Sequence, residues 1–309
     1  EMSGLSDELF GQVSKSVSVL GLAAAPSIQQ QVEQECQKRL KQQPMSESID
    51  GNPWWILDML EALAGAAEES RSHSGQIASF WHSTYQQLSP ALLTLIPNLN
   101  PTEAATLYRS LRQLPSSVHN GDGQLHDQLA LRCLALATVE AFEFLMLTSV
   151  VYSQLCLYPE ICLSELPASN PSWTTIRSSW KATFEAWKRL ASGQEPQDMT
   201  LRFQVAVLRL ASGSYSETGW RESSRHRPVA LELQQYIKAA GCVVEGPIWE
   251  GPFEIHAVTT DTSFCLMPED AYFKKLAGSF RSADGVLEED KLELCHERHA
   301  QMYLLNREG

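Results

Sequence analysis

The run NPTEAATLYRSLRQLPSSVHNGDGQLHDQLALRCLALATVEA, residues 100–141, decides how the rest of the chain is read. Its apolar side chains recur at three and four, as in Leu107, Leu111 and Leu114 and again in Leu125, Leu129 and Cys133, which is the period of an α-helix with one buried face. Asn100-Pro101 puts a side-chain acceptor at an N-cap and a proline in the first turn, and His119-Asn120-Gly121-Asp122-Gly123 carries turn residues. The stretch therefore reads as helix, turn, helix. Thr102-Glu103-Ala104 opens the first helix, and Val139-Glu140-Ala141 repeats its pattern at the start of another, with apolar stripes in comparable phase. That pairing predicts a repeated unit of the kind stacked in α-solenoids, with an irregular helical bundle as the alternative.

Outward from this stretch the helical period holds from residue 5 to about 211, and strand-like alternation is nearly absent. Asn52-Pro53 and Asn170-Pro171 mark two more helix starts. The apolar run Cys133 to Val151 has the length of a membrane span, but Glu140 and Glu143 near its middle predict a buried helix instead. Residues 1–211 are accordingly expected to form a helical repeat array. Ser212 to Arg227, crowded with Gly, Ser and charge, is the expected linker (212–227). Beyond it the pattern changes: a helix from Val229 to Ala239 ending at Gly241, strands at Cys242–Val244, Phe253–Val258 and Ser263–Met267, and a closing helix from about Val286 to Arg298. Residues 228–309 thus read as a small α/β domain, and the whole as a mainly α protein.

The 309 residues carry 24 Lys and Arg against 37 Asp and Glu, a net charge of -13, which predicts no strong general attraction to a phosphate backbone. The charge is uneven. Residues 1–170 hold 8 basic and 18 acidic side chains, 171–227 hold 9 and 5, and 228–309 hold 7 and 14, so only the middle segment is net positive. The seven cysteines include no CxxC pair and several lie in apolar helical patterns, which fits buried thiols in a reducing compartment.

In the C-terminal part, a helix, a glycine and a strand are followed by Gly246-Pro247-Ile248-Trp249-Glu250-Gly251-Pro252, running into Phe253-Glu254-Ile255-His256-Ala257. Ser263-Phe264-Cys265-Leu266-Met267-Pro268-Glu269-Asp270-Ala271-Tyr272-Phe273 comes next, then Gly285-Val286-Leu287 and Lys291-Leu292. This order resembles a RAP domain, the module of many organellar RNA-associated proteins, over roughly residues 228–309. The resemblance implies a fold related to restriction-type nucleases, preceding helical repeats, and a mitochondrial location. Where that family usually has an aspartate in its first core strand this chain has His256, and where it usually has an acidic residue closing the next strand this chain has Met267. Glu254, Asp261, Glu269 and Asp270 could approach a divalent metal, but Lys274 and Lys275 fall beyond the turn rather than at the spacing metal-dependent cleavage needs.

Trp173, Trp180 and Trp187, with Ile176 and Phe184 between them, form a stripe that reads first as core packing and second as a base-stacking surface. Along one edge of that stripe run Arg177, Lys181 and Lys188. With Arg202 and Arg209 on the next helix and Arg221, Arg225 and Arg227 in the linker, they make the candidate RNA-binding surface. The alternative for such side chains is that their stems lie along apolar surface while the charge reaches water. Cys295, His296 and His299 lack a fourth metal ligand, His126-Asp127 lacks a nucleophile at a recognisable spacing, and no GxSxG, P-loop or GxGxxG occurs.

These readings converge on a non-catalytic RNA-associated scaffold of a mitochondrial ribonucleoprotein, a ribosome component or an RNA-processing factor. No cofactor, metal, small-molecule substrate or transmembrane segment is expected, and the expected partners are RNA, organellar rRNA in kind, and neighbouring proteins with basic surfaces. The alternative is a structural subunit of a large membrane or respiratory assembly that makes only protein contacts; a third reading is a metal-dependent nuclease. Basic side chains held in intramolecular ion pairs would favour the second, and a solvent-facing positive strip the first.

Overall fold

The computed structural model describes residues 4–19, 26–42, 54–70, 77–114, 116–119, 122–163, 171–216, 227–246, 248–255, 257–259, 263–264, 300–301 and 303–304. Helices dominate. In chain order they are α1 (Asp7–Val19), α2 (Pro26–Gln42), α3 (Trp54–Ser70), α4 (Ile77–Leu95), α5 (Pro101–Gln113), α6 (Ser116–His119), α7 (Gly123–Thr138), α8 (Phe144–Leu157), α9 (Pro159–Leu163), α10 (Pro171–Ala191), α11 (Met199–Ala211) and α12 (Arg227–Ala239).

Asn100 caps α5 as its position before a proline predicts. Its side chain accepts from the Glu103 backbone N–H at 3.0 Å, and the Glu103 carboxylate accepts from the Asn100 N–H at 2.6 Å, a reciprocal box that satisfies two otherwise orphaned donors. α10 begins at Pro171 and α3 at Trp54, while Asn170, Asn52 and Pro53 lie outside the described residues.

The apolar run Cys133 to Val151 is two helices rather than one. α7 stops at Thr138, and Glu140 takes the left-handed conformation at φ 53°. The Glu140 N–H then donates to the Ala137 carbonyl at 3.2 Å and the Ala141 N–H to the Leu136 carbonyl at 3.0 Å, the double closure of a Schellman motif. Val139-Glu140-Ala141 therefore lies in a turn, and α8 starts later, at Phe144. α11 closes in the same way with Gly213 at φ 68°: the Gly213 N–H donates to Leu210 and the Ser214 N–H to Arg209, both at 2.9 Å.

The longer helices pack in two successions. α1 lies against α3, α3 against α5, α5 against α8 and α8 against α11, while α2 lies against α4, α4 against α7 and α7 against α10. α7 and α10 run in the same direction, tied near their starts by Ser172 Oγ donating to Asp127 Oδ2 (2.6 Å) and near their ends by Arg189 and Glu140 (3.5 Å). One buried cluster extends through Trp55, Leu60, Leu88, Leu107, Leu129, Val151, Leu155 and Trp187. Burying side chains of this size contributes roughly 1.5–3 kcal/mol each, which is the main term holding the helices together.

Inside that cluster Gln154 of α8 is fully buried and fully engaged. Its Nε2 donates to Tyr108 Oη of α5 (3.2 Å) and to Ser179 Oγ of α10 (3.1 Å), and its Oε1 accepts from Thr183 Oγ1 of α10 (2.8 Å). An unsatisfied amide here would cost about 1–3 kcal/mol, so the three helices can meet in this register only if all three contacts form.

The C-terminal part holds little sheet among the described residues. β1 (Ile248–Glu250) pairs antiparallel with β2 (Phe253–Ile255) across a tight turn in which Gly251 has φ 57°, and β3 (Ala257–Val258) pairs antiparallel with β4 (Ser263–Phe264). The strand expected over Phe253–Val258 is thus divided between two ladders. Cys242–Val244 forms no strand; instead Glu245 makes an isolated bridge to Val258. α12 ends at Ala239 with Gly241 at φ 86°, close to expectation. The closing helix expected over 286–298 lies outside the described residues, although Ala300, Gln301, Tyr303 and Leu304 are helical. Phe253 stands edge-on to Phe203 of α11 (ring centroids 6.0 Å) and, with Ala300 and Leu304, belongs to the main buried cluster. Among the described residues no helix is long and apolar enough to cross a membrane.

Candidate functional site

α10 carries the tryptophan stripe. Trp180 and Trp187 are buried, as are Ile176 and Phe184 between them, whereas Trp173 is 46 % exposed. Phe184 stacks on Trp180 (centroids 4.5 Å) and on Trp187 (5.7 Å), and Trp187 Nε1 donates to Thr148 Oγ1 of α8 at 3.0 Å. Trp180 and Trp187 are therefore packing residues, closed to base stacking. The three basic side chains along the stripe have different surroundings. Arg177 is half-buried and its Nε donates to the Ile161 carbonyl of α9 at 3.0 Å. Lys188 pairs with Glu185 and lies over the Phe184 ring, 5.3 Å from its centroid. Lys181 is exposed, with no ion pair among the described residues.

The glycine-marked ends of α10 and α11 define a second feature. Gly193 (φ 76°) turns the chain after α10 and Gly213 turns it after α11, and the segments they redirect line one open concavity of about 200 Å³. Val205 and Ala206 form its apolar floor, and Glu195, Arg202, Arg209, Ser214, Tyr215 and Ser216 supply its polar wall. Arg209 is committed within this wall: Nη1 pairs with Glu195 Oε1 at 2.7 Å and Nη2 donates to the Gln194 carbonyl at 3.0 Å. Arg202, seven residues earlier and so on the same helical face, makes no ion pair or side-chain hydrogen bond among the described residues. Its Nε is shielded from solvent and has no acceptor among the described residues.

Of the eight basic residues expected to meet RNA, the structure thus brings Arg202 and Arg209 to one concavity and puts Arg177, Lys181 and Lys188 on α10. Arg221 and Arg225 lie outside the described residues, and Arg227 is the first residue of α12 with its side chain not described. The expected continuous strip is corrected in one respect. Arg177, Lys188 and Arg209 already have intramolecular partners: packing brings a carbonyl of α9 to Arg177, the turn after α10 brings Glu195 to Arg209, and Glu185 lies one turn from Lys188 on α10 itself. Asp261, Glu269 and Asp270, and the Cys295, His296 and His299 group, are outside the described residues; Glu254 is in β2, with its side chain not described. Among the described residues no group of three or more metal-ligating side chains converges.

A buried polar cluster escaped the sequence reading. His119 Nδ1 and His126 Nε2 are 3.2 Å apart, and the Tyr158 hydroxyl meets His126 Nδ1. Burial holds the His126 imidazole below its usual pKa and pushes the Tyr158 phenol up. Sequence spacing offered one signal, since His119 and His126 are separated by a turn that can fold one onto the other, but Tyr158 arrives from the junction of α8 and α9. Burial also pushes up the Cys133 and Cys162 thiols, which makes them poor nucleophiles. No protein-family model, no curated protein and no solved structure matches the chain.

Proposed function

We propose that this protein is a non-catalytic scaffold of a mitochondrial ribonucleoprotein, an array of helical pairs that meets RNA through a small basic surface and neighbouring proteins over the rest. The observation that carries this reading is the paired succession of helices, α1–α3–α5–α8–α11 beside α2–α4–α7–α10. A succession of this kind supports an open, α-solenoid-like stack, and such a stack would offer a long surface to a large partner. Lys181 and Arg202 lie in the one net-positive segment of the chain and have no ion-pair partner among the described residues, so they are the side chains proposed to contact phosphate. The RAP-like C-terminal module would add binding area.

The second reading, a structural subunit of a large mitochondrial membrane or respiratory assembly making only protein contacts, is favoured by a specific observation. Lys188 and Arg209 are already neutralised by Glu185 and Glu195, while Leu131, Val139 and Leu145 are more than half exposed. The test is recovery of the protein from cells under native conditions with sequencing of crosslinked RNA, alongside a Lys181→Glu, Arg202→Glu variant. Arg177 is left intact because its loss would disturb packing. Discrete organellar RNA contacts that disappear in the variant support the ribonucleoprotein reading. A protein assembly that co-purifies intact and without RNA overturns it in favour of the second.

A further inference from the structure

The geometry points to the concavity formed by the turn after α10, one face of α11 and the segment following α11 as a binding pocket for a single phosphate group, with Arg202 as its anchor. Three features of the site lead there. Arg202 lines the concavity and has no ion-pair partner among the described residues, so its guanidinium charge meets no carboxylate of the chain's own there. Its guanidinium presents donors in a planar fork that matches phosphate oxygens two at a time. The Ser214 hydroxyl, exposed on the wall and now shared between Ser212 Oγ (2.6 Å) and the Arg209 carbonyl (3.4 Å), can turn to donate to a further phosphate oxygen.

Charge places the anion toward Arg202 rather than Arg209. The Glu195 carboxylate sits on Arg209 at 2.7 Å, and the α11 carbonyl end adjoins Arg209, so that end of the concavity is neutral to negative. Arg202 lies in the first half of α11, away from that carbonyl end. The contacts of Arg209 with Glu195 and Gln194 instead hold the turn after α10 against α11 and so keep the concavity open. Val205 and Ala206 beneath give an apolar floor on which a sugar or base attached to the phosphate could rest. The phosphate could belong to a free nucleotide or to an RNA backbone, and the pocket chemistry is the same for both.

The pocket shares Arg202 with the RNA reading, but a free nucleotide would satisfy it without RNA, so the two can fail separately. The experiment uses the full chain at constant ionic strength, set with sodium chloride, and measures binding by calorimetry and by the rise in unfolding temperature. The probes are inorganic phosphate, adenosine 5′-monophosphate, adenosine and a short single-stranded oligoribonucleotide. The expected result is binding of phosphate and of the monophosphate but not of adenosine, with Arg202→Gln lowering affinity by about tenfold or more, the loss expected for a charge-assisted hydrogen-bonded anchor. Arg202→Lys, which keeps the charge and loses the fork, should fall between. Circular dichroism of both variants guards against misfolding, and Ser214→Ala, on an exposed rim position, provides a milder loss in a chain whose core is untouched.

Adenosine binding as well as its monophosphate, unchanged affinity in Arg202→Gln, or no binding of any phosphate would each overturn the pocket. The oligoribonucleotide separates the two readings. Binding of RNA that ignores Arg202→Gln leaves the ribonucleoprotein reading standing and sinks the pocket, whereas binding of phosphate and monophosphate without RNA does the reverse.

Discussion

Arg177 and Lys181 stand one helical turn apart with the same charge, and their roles differ because of what faces them. Arg177 donates to the Ile161 carbonyl, so Arg177→Ala should lower unfolding stability by about 1–2 kcal/mol in urea titration, the cost of a lost bond and a carbonyl left unmet. Lys181→Ala should leave the urea midpoint unchanged. The sequence wheel places both on one edge of the tryptophan stripe but cannot tell them apart, since the deciding group is a backbone carbonyl from α9. His126 yields a pH prediction. Its pKa is lowered from 6.5 by burial, although the His119 contact and the Asp122 and Asp127 carboxylates oppose the shift, and Tyr158 caps its other nitrogen. Above pH 6.5 the imidazole is neutral in both folded and unfolded chains. As the pH falls below 6.5 the unfolded chain takes up a proton that the folded chain refuses, so stability should decline toward the lower folded pKa. Urea midpoints measured from pH 7.5 to 5 should show this fall, and His126→Gln should flatten it.

At the scale of elements, the break between α7 and α8 explains where the sequence pattern misleads. Helix ends of the Schellman kind are legible when glycine occupies the left-handed position, as at Gly213 and Gly241, where composition and period place both ends within a few residues. At the α7 end that position is filled by Glu140, so no turn signal interrupts the apolar run and its two helices merge into one. The carboxylates that speak against a membrane span belong to the turn: Glu140 at its left-handed residue and Glu143 at the N-cap of α8. A side chain with a β-carbon costs roughly 1–2 kcal/mol in this conformation. Glu140→Gly should therefore raise stability by about 0.5–1 kcal/mol despite losing the exposed Arg189 contact, while Glu140→Ala should not; thermal unfolding of the pair checks it. The proline-marked starts are more readable, because an Asn-Pro cap is a local device and α5 needs nothing beyond Glu103 to complete it.

For the molecule as a whole, the helical order of residues 5–211 is legible because it is written in a local period, whereas the strands of the C-terminal part are only partly so. Short ladders of two or three residues depend on which segment lies alongside, as when Glu245 rather than Val244 finds Val258. The polar composition of 212–227 marks a boundary but gives no hint of Phe253 resting against Phe203 of α11. Phe253→Ala should destabilise the chain by about 3 kcal/mol or more. If the shared cluster couples the two parts, tryptophan fluorescence and far-ultraviolet circular dichroism should lose signal at one urea concentration in both proteins, and two separated transitions would show the parts to be independent. Gln154 has a mechanical consequence. Sliding one helix past another by a turn moves side chains about 5.4 Å, which would break all three of its bonds at once. The junction of α5, α8 and α10 is thus a rigid joint under load, and bending of the packed helices would fall on junctions closed by apolar contact alone, where one packing can give way to the next without stranding a polar group.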